Sequence, residues 1–152
     1  MCRQLRVGSS CELVAPDGAC ASASVGRILE LMKALRVLVV EDDALIAMLL
    51  AELLASMGHI VCATAPTEGE AVIAAAEYRP DLMIVDAGLG RGSGVSAVQE
   101  IQRAGPIAHF FLSGDAERVR LRQPTAIVVR KPFRKAELAR AIEIAVAAVA
   151  IG

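Results

Sequence analysis

The chain has 152 residues, a formal net charge of −1 and a hydrophobic fraction of 55%. That is enough chain for one domain with its own core, and the balanced charge argues against a nucleic-acid binder working through a basic face. Aromatics make up 3% and Trp is absent, which argues against base-stacking platforms and aromatic ligand cages. Much of the apolar content is Ala, and no run of about 18 or more apolar residues stays free of charge. The longest run, IEIAVAAVAIG, is short and carries Glu143. The composition predicts a soluble cytoplasmic domain with no membrane span, and it leaves the question of where so much apolar surface is buried.

Residues 1–33 are rich in Gly, Ser and Ala and show no sustained period. They are expected to be an N-terminal extension, either a disordered or loosely helical tail or upstream sequence ahead of a true start at Met32. The folded domain is expected over 34–152. Cys2, Cys11 and Cys20 have eight residues between neighbours and no His nearby, unlike the tight pairs of zinc sites. No apolar export core follows Arg3 and Arg6, so no signal peptide is visible. Cys62 lies in an apolar run and reads as a small buried hydrophobe.

From Leu35 the pattern sharpens. LRVLVV (Leu35–Val40) is a short β-branched run of the kind buried on both faces of a sheet. It ends in Glu41-Asp42-Asp43, of which Asp43 is placed to cap a following helix. Ala44–Met57 carries Leu45, Met48, Leu49, Glu52 and Leu53 at helical spacing, and Gly58 closes it. Ile60–Thr64 predicts a second strand. Thr67 with Glu70 opens a helix to about Tyr78, and Pro80 breaks it. Asp81–Asp86 predicts a third strand, GLGRGSG a glycine-rich loop, and Val95–Arg103 a helix. Pro106 precedes a strand over Ile107–Leu112. Ser113-Gly114-Asp115 starts a loop and a short helix. Pro124 precedes a fifth strand, Thr125–Val129. Lys131-Pro132-Phe133 makes a turn, and Arg134–Val149 the last helix.

Five strands alternating with helices predict a parallel sheet with helices on both faces, a three-layer doubly wound α/β fold. Central strands buried on both sides account for most of the apolar fraction. Such folds place functional groups at the carboxyl ends of strands. Glu41 and Asp42 follow strand 1 and Asp86 ends strand 3. Three converging acids raise one another's pKa unless a cation intervenes, and their hard oxygens suit Mg²⁺. Ser113 and Lys131 follow strands 4 and 5. A hydroxyl and an ammonium facing a metal-bound carboxylate suit a tetrahedral dianion. The assembled chemistry is phosphoryl transfer onto an Asp nucleophile.

With VLVVEDD, DLMIVD, FLSG and KPF in this order, residues 35–150 resemble the receiver domain of bacterial response regulators, the partners of sensor histidine kinases. The resemblance implies a flavodoxin-like five-stranded parallel sheet of order 2-1-3-4-5. It implies Asp86 as phosphoacceptor, Glu41 and Asp42 as acids of a Mg²⁺ site, and the Gly88 carbonyl as a further ligand to that ion. It implies Ser113 as the switch hydroxyl, Lys131 as the phosphoryl-contacting cation, and a cis Lys131-Pro132 bond. Three positions depart from the family pattern. Leu89-Gly90 replaces a Met-Pro or Leu-Pro pair, so the loop is expected to be mobile. Val128 stands where an aromatic switch is usual. FLSGD is similar to the FATGY-type motif of an atypical subgroup, with Asp115 in place of its Tyr.

The expected function is a stand-alone receiver. It takes its phosphoryl group from a histidine kinase or a histidine phosphotransfer protein and signals through protein binding or acts as a phosphate sink. It is not an enzyme acting on other substrates. The alternative is a receiver-like interaction module that works without phosphorylation, which Val128 and the altered loop motivate. An aspartyl-phosphate phosphatase of the haloacid dehalogenase type would need a second Asp at position 88, where Gly stands. A flavin-binding flavodoxin would need a phosphate loop after strand 1. His59 is expected as a cation at a helix end and His109 as a structural residue. Arg118, Arg120, Arg122, Arg130, Arg134 and Lys135 read as a solvated or partner-binding face. The uncharged end of the last helix is a candidate homodimer surface.

Overall fold

The computed structural model describes residues 33–151. The expected extension falls, apart from Lys33, outside the described residues, as do Cys2, Cys11, Cys20 and Met32. Five strands, β1 (Arg36–Val40), β2 (Ile60–Ala65), β3 (Leu82–Asp86), β4 (Ala108–Ser113) and β5 (Val128–Arg130), form one sheet of order β2-β1-β3-β4-β5. Every pairing is parallel. Helices α1 (Ala44–Ser56), α2 (Glu68–Tyr78), α3 (Gly94–Gln102) and α4 (Ala116–Arg122) make the crossovers, and α5 (Lys135–Ile151) follows the last strand.

The apolar runs are accounted for by period two. Val37, Val39, Leu82, Ile84, Phe110 and Leu112 point to one face, where Leu50 and Leu54 of α1 and Leu138 and Ile142 of α5 cover them. Leu38, Val40, Met83, Val85 and Phe111 point to the other, under Ala71 and Ala75 of α2, Val98 of α3 and Val119 of α4. Alternate residues of a strand thus feed two separate cores, so β1 and β3 are apolar from Val37 to Val40 and from Leu82 to Val85, and polar side chains gather at the strand ends.

Local sequence sets the helix ends. The Asp43 carboxylate accepts from the N–H groups of Leu45 and Ile46, capping α1. The Thr67 hydroxyl accepts from Glu70 N–H at the start of α2, and Arg79 ends that helix in the left-handed conformation before Pro80. Asp115 caps α4 through the Arg118 N–H. The Lys131-Pro132 peptide is cis, as the resemblance implies.

Three expectations change, and one point left open by the helical spacing is decided. The fifth strand starts at Val128 rather than Thr125, because residues 123–126 are spent in a turn closed by Ala126 N–H donating to Gln123 O at 3.0 Å. On α1, the core is met by Leu50 and Leu54, while Leu45, Met48 and Leu49 are exposed. Both stripes have helical spacing, and only the sheet's position chooses between them. His59 is not a cation on the end of α1. Its Nδ1 accepts the Leu35 N–H at 3.2 Å, and burial pushes its pKa down. Cys62 is half-buried at a register break in the β1–β2 pairing, and its thiol donates to Val37 O. His109 is structural: Nδ1 contacts Ile107 O at 2.9 Å and the ring meets Phe111 edge-on. Among the described residues no helix is long and apolar enough to cross a membrane.

Candidate functional site

β1 and β3 lie side by side, so the residues at their carboxyl ends meet. Asp86 is the last residue of β3 and Glu41 directly follows β1; both are buried. Asp42, one residue on, is exposed. Carboxylate oxygens of Glu41, Asp42 and Asp86 all lie within 4.8 Å of one another. Lys131 follows β5 and reaches across β4. Its Nζ donates to Asp86 Oδ2 at 3.1 Å and to Glu41 Oε2 at 3.2 Å.

The environment treats the three acids differently. Burial, with Asp86 alongside, raises the pKa of Glu41 to about 7, against the Asp43 N–H and the Lys131 ammonium, which work to lower it. The Gly90 N–H, donating to Oδ2 at 3.0 Å, lowers that of Asp42. Burial works against the charge on Lys131, but the hydrogen bond and charge of Asp86, then of Glu41, raise its pKa overall. One ammonium thus faces a cluster of three carboxylates, and burial makes Glu41 the acid that takes up a proton most readily. An all-oxygen set of this kind, open toward the exposed Asp42, matches the preference of a hard divalent cation that keeps part of its water shell. The residues therefore fit Mg²⁺.

Gly88 is adjacent: its N–H donates to Asp86 Oδ1 at 3.0 Å. Ser113 ends β4 and is buried; its hydroxyl accepts from Asp115 N–H at 3.0 Å, and its carbonyl accepts from Lys131 N–H. Ser113 and Gly88 both border a cleft of about 340 Å³, with Ser93, Asp115, Arg118 and Arg122 among its other walls. All the expected site residues are therefore gathered at one end of the sheet. The carboxylates of Glu41, Asp42 and Asp86 lie together, Lys131 contacts Glu41 and Asp86, and Ser113 and Gly88 flank them. Part of the basic segment, Arg118 and Arg122, lines this cleft. Val128 is half-buried against the α2–α4 core.

Sequence reasoning passes over Glu68. In the chain it reads as an ordinary first-turn acid after Thr67, yet its Oε2 accepts the Ser93 N–H at 3.2 Å. The signal available was the glycine spacing of GLGRGSG, which leaves backbone N–H groups open to approach.

The response regulator receiver domain family matches residues 37–143. The transcriptional regulatory protein PdtaR of Mycobacterium tuberculosis is 41% identical over 116 residues, covering 73% of this chain and 56% of PdtaR. The phyllosphere-induced regulator PhyR of Methylorubrum extorquens is 36% identical over 121 residues, covering 77% of this chain and 45% of PhyR. The chain spans about half the length of these curated relatives. Among solved structures, the REC domain of the Erythrobacter litoralis PhyR response regulator superposes with a TM-score of 0.68 at 33% identity, covering 75% of this chain and 91% of that domain. The response regulator PhyR from Brucella abortus gives 0.73 at 29% identity, covering 85% and 57%.

Proposed function

The chain belongs to the response regulator receiver domain family, and on that footing we propose that Asp86 accepts a phosphoryl group from a phosphohistidine on a sensor histidine kinase or a phosphotransfer protein. The observation that carries this reading is the meeting of three carboxylates from two strand ends with the Lys131 ammonium bridging two of them. A carboxylate oxygen of Asp86 attacks phosphorus, the P–N bond breaks, and the imidazole keeps the electron pair. Glu41, Asp42, Asp86 and the Gly88 carbonyl are the residues that would hold Mg²⁺. When bound, the ion supplies neutralisation of charge on the transferring group. Lys131 then exchanges part of its contact with Asp86 for the phosphoryl oxygens, and Ser113 donates its hydroxyl to them. α1 starts directly after Asp43, so its exposed Leu45, Met48 and Leu49 offer an apolar landing beside the site for the donor protein.

In this reading the chain works in the cytoplasm and catalyses only its own phosphorylation and dephosphorylation. Its output is a protein–protein contact or the removal of phosphate from the donor. Incubation with acetyl phosphate and Mg²⁺ should add one phosphoryl group by intact-mass measurement, and Asp86→Asn should take up none. No uptake by the parent, or equal uptake by the variant, overturns the reading.

Val128 favours a second reading, a receiver-like module whose contacts do not depend on phosphorylation, because a branched aliphatic side chain cannot turn between buried and exposed rotamers as an aromatic ring does. Partner affinity unchanged by a beryllofluoride phosphoryl mimic supports this second reading. A change of several-fold supports the first.

A further inference from the structure

The loop between β3 and α3 carries Gly88 and the GLGRGSG run, and it is held in an unusual way. Its base is closed by Gly94 N–H donating to Ala87 O at 3.3 Å. Between those ends, two backbone donors go to carboxylates from elsewhere in the chain: Gly90 N–H to Asp42 and Ser93 N–H to Glu68. Gly92 makes the second contact possible. Its φ is +89°, and a Cβ there would stand 2.7 Å from Glu68 Oε2 and 3.3 Å from Glu68 Cβ. The glycine thus lets the α2 carboxylate close against the loop backbone.

The two anchors differ in chemistry. Asp42 is an exposed acid of the cluster itself, so a cation bound there competes with the Gly90 N–H for its oxygens. Glu68 lies outside the cluster, at the first turn of α2, and its hold on Ser93 is independent of what Asp42 does. We propose that Glu68 is a positioning residue: through the Ser93 N–H it keeps the 88–93 loop, and with it Gly88, in place beside Asp86. The metal-site part of this inference rests on the reading given above; the Glu68–Ser93 clamp itself does not.

The test compares Glu68→Ala with Glu68→Gln, because an amide oxygen can still accept the Ser93 N–H while the charge is gone. In metal-free protein, Glu68→Ala should speed hydrogen exchange of the Ser93 amide about tenfold, with Glu68→Gln within about twofold of the parent. In a Mg²⁺ titration followed by backbone amide shifts, Glu68→Ala should raise the half-saturating Mg²⁺ concentration about tenfold, the scale typical for residues supporting a metal ligand, and Glu68→Gln should restore it. Unchanged Ser93 exchange or an unchanged Mg²⁺ titration in Glu68→Ala overturns the proposal. So does a Glu68→Gln variant as impaired as the alanine, since that assigns the effect to charge at the helix start. A parent that binds Mg²⁺ but takes no phosphoryl group sinks the functional reading and leaves the clamp standing. A parent that binds no Mg²⁺ sinks the functional reading and the metal-site part of the inference, and the Ser93 exchange in metal-free protein then decides the clamp.

Discussion

Lys131 Nζ stands 3.1 Å from Asp86 Oδ2, a contact between residues 45 apart in the chain. β4 lies between their strands, so the Lys side chain has to span it. The same ammonium meets Glu41, and only 22% of the Lys131 side chain is exposed. Removing it leaves two buried carboxylates without their cation. In metal-free protein at mildly alkaline pH, Lys131→Met should lower the unfolding free energy by about 1–3 kcal/mol, solvent screening keeping the loss below that of a fully buried pair. Urea denaturation in EDTA measures it; an unchanged midpoint and slope would refute the assigned ion pairs.

Glu41 provides a pH signature. Its folded-state pKa is raised to about 7 from an ordinary 4.5, chiefly by burial. Folding therefore favours the protonated form. The stabilising contribution is fully present below the unfolded value and is lost as pH rises through about 7. In EDTA, the parent should lose stability relative to Glu41→Gln as pH rises from about 4.5 through about 7. A difference that is flat, or a parent that gains on the variant with pH, would show that Glu41 is not held protonated by its surroundings.

Gly94 and Gly69 form a contrast. A Cβ at Gly94 would run into the Asp86 carbonyl oxygen, with Val85 Cγ1 at 2.7 Å and Asp86 C at 2.9 Å, whereas nothing lies within 4 Å of a Cβ at Gly69. The obstacle at Gly94 is backbone, and it belongs to the candidate phosphoacceptor. Gly94→Ala should cost about 3 kcal/mol or more. Gly69→Ala, in the first turn of α2, should be neutral or stabilising by up to about 1 kcal/mol. Thermal melts of the two variants decide, and equal effects would contradict the close approach of α3 to β3.

The two stripes of α1 separate in the same way. Leu54 is 0% exposed and Leu45 is 77% exposed. Leu54→Ala should destabilise by about 2–5 kcal/mol and Leu45→Ala by no more than about 0.5 kcal/mol. If Leu45→Ala also weakens phosphoryl transfer from a protein donor while leaving acetyl phosphate uptake intact, the exposed stripe is the donor's landing surface. Equal rates with both donors remove that role.

The alternation of elements, the parallel sheet and the membership of the acidic cluster are all legible in the chain. The reason is physical: strands buried on both faces are almost wholly apolar, so the polar residues that close them or follow them, Glu41, Asp42, Asp86, Ser113 and Lys131, mark the strand ends. Helix starts were legible for a similar reason, since Asp43 and Thr67 act on amides two or three residues away. Tertiary structure alone decided which stripe of α1 is covered, because Leu45–Met48–Leu49 and Leu50–Leu54 have the same period. It also decided that β5 begins only at Val128, where the turn after α4 releases the chain. The raised pKa of Glu41 depends on burial under neighbours that no local pattern names. The grip of Asp42 on Gly90 and of Glu68 on Ser93 joins backbone donors to carboxylates 48 and 25 residues away. A glycine-rich stretch announces that something can approach its backbone, and only the fold brings the two carboxylates there.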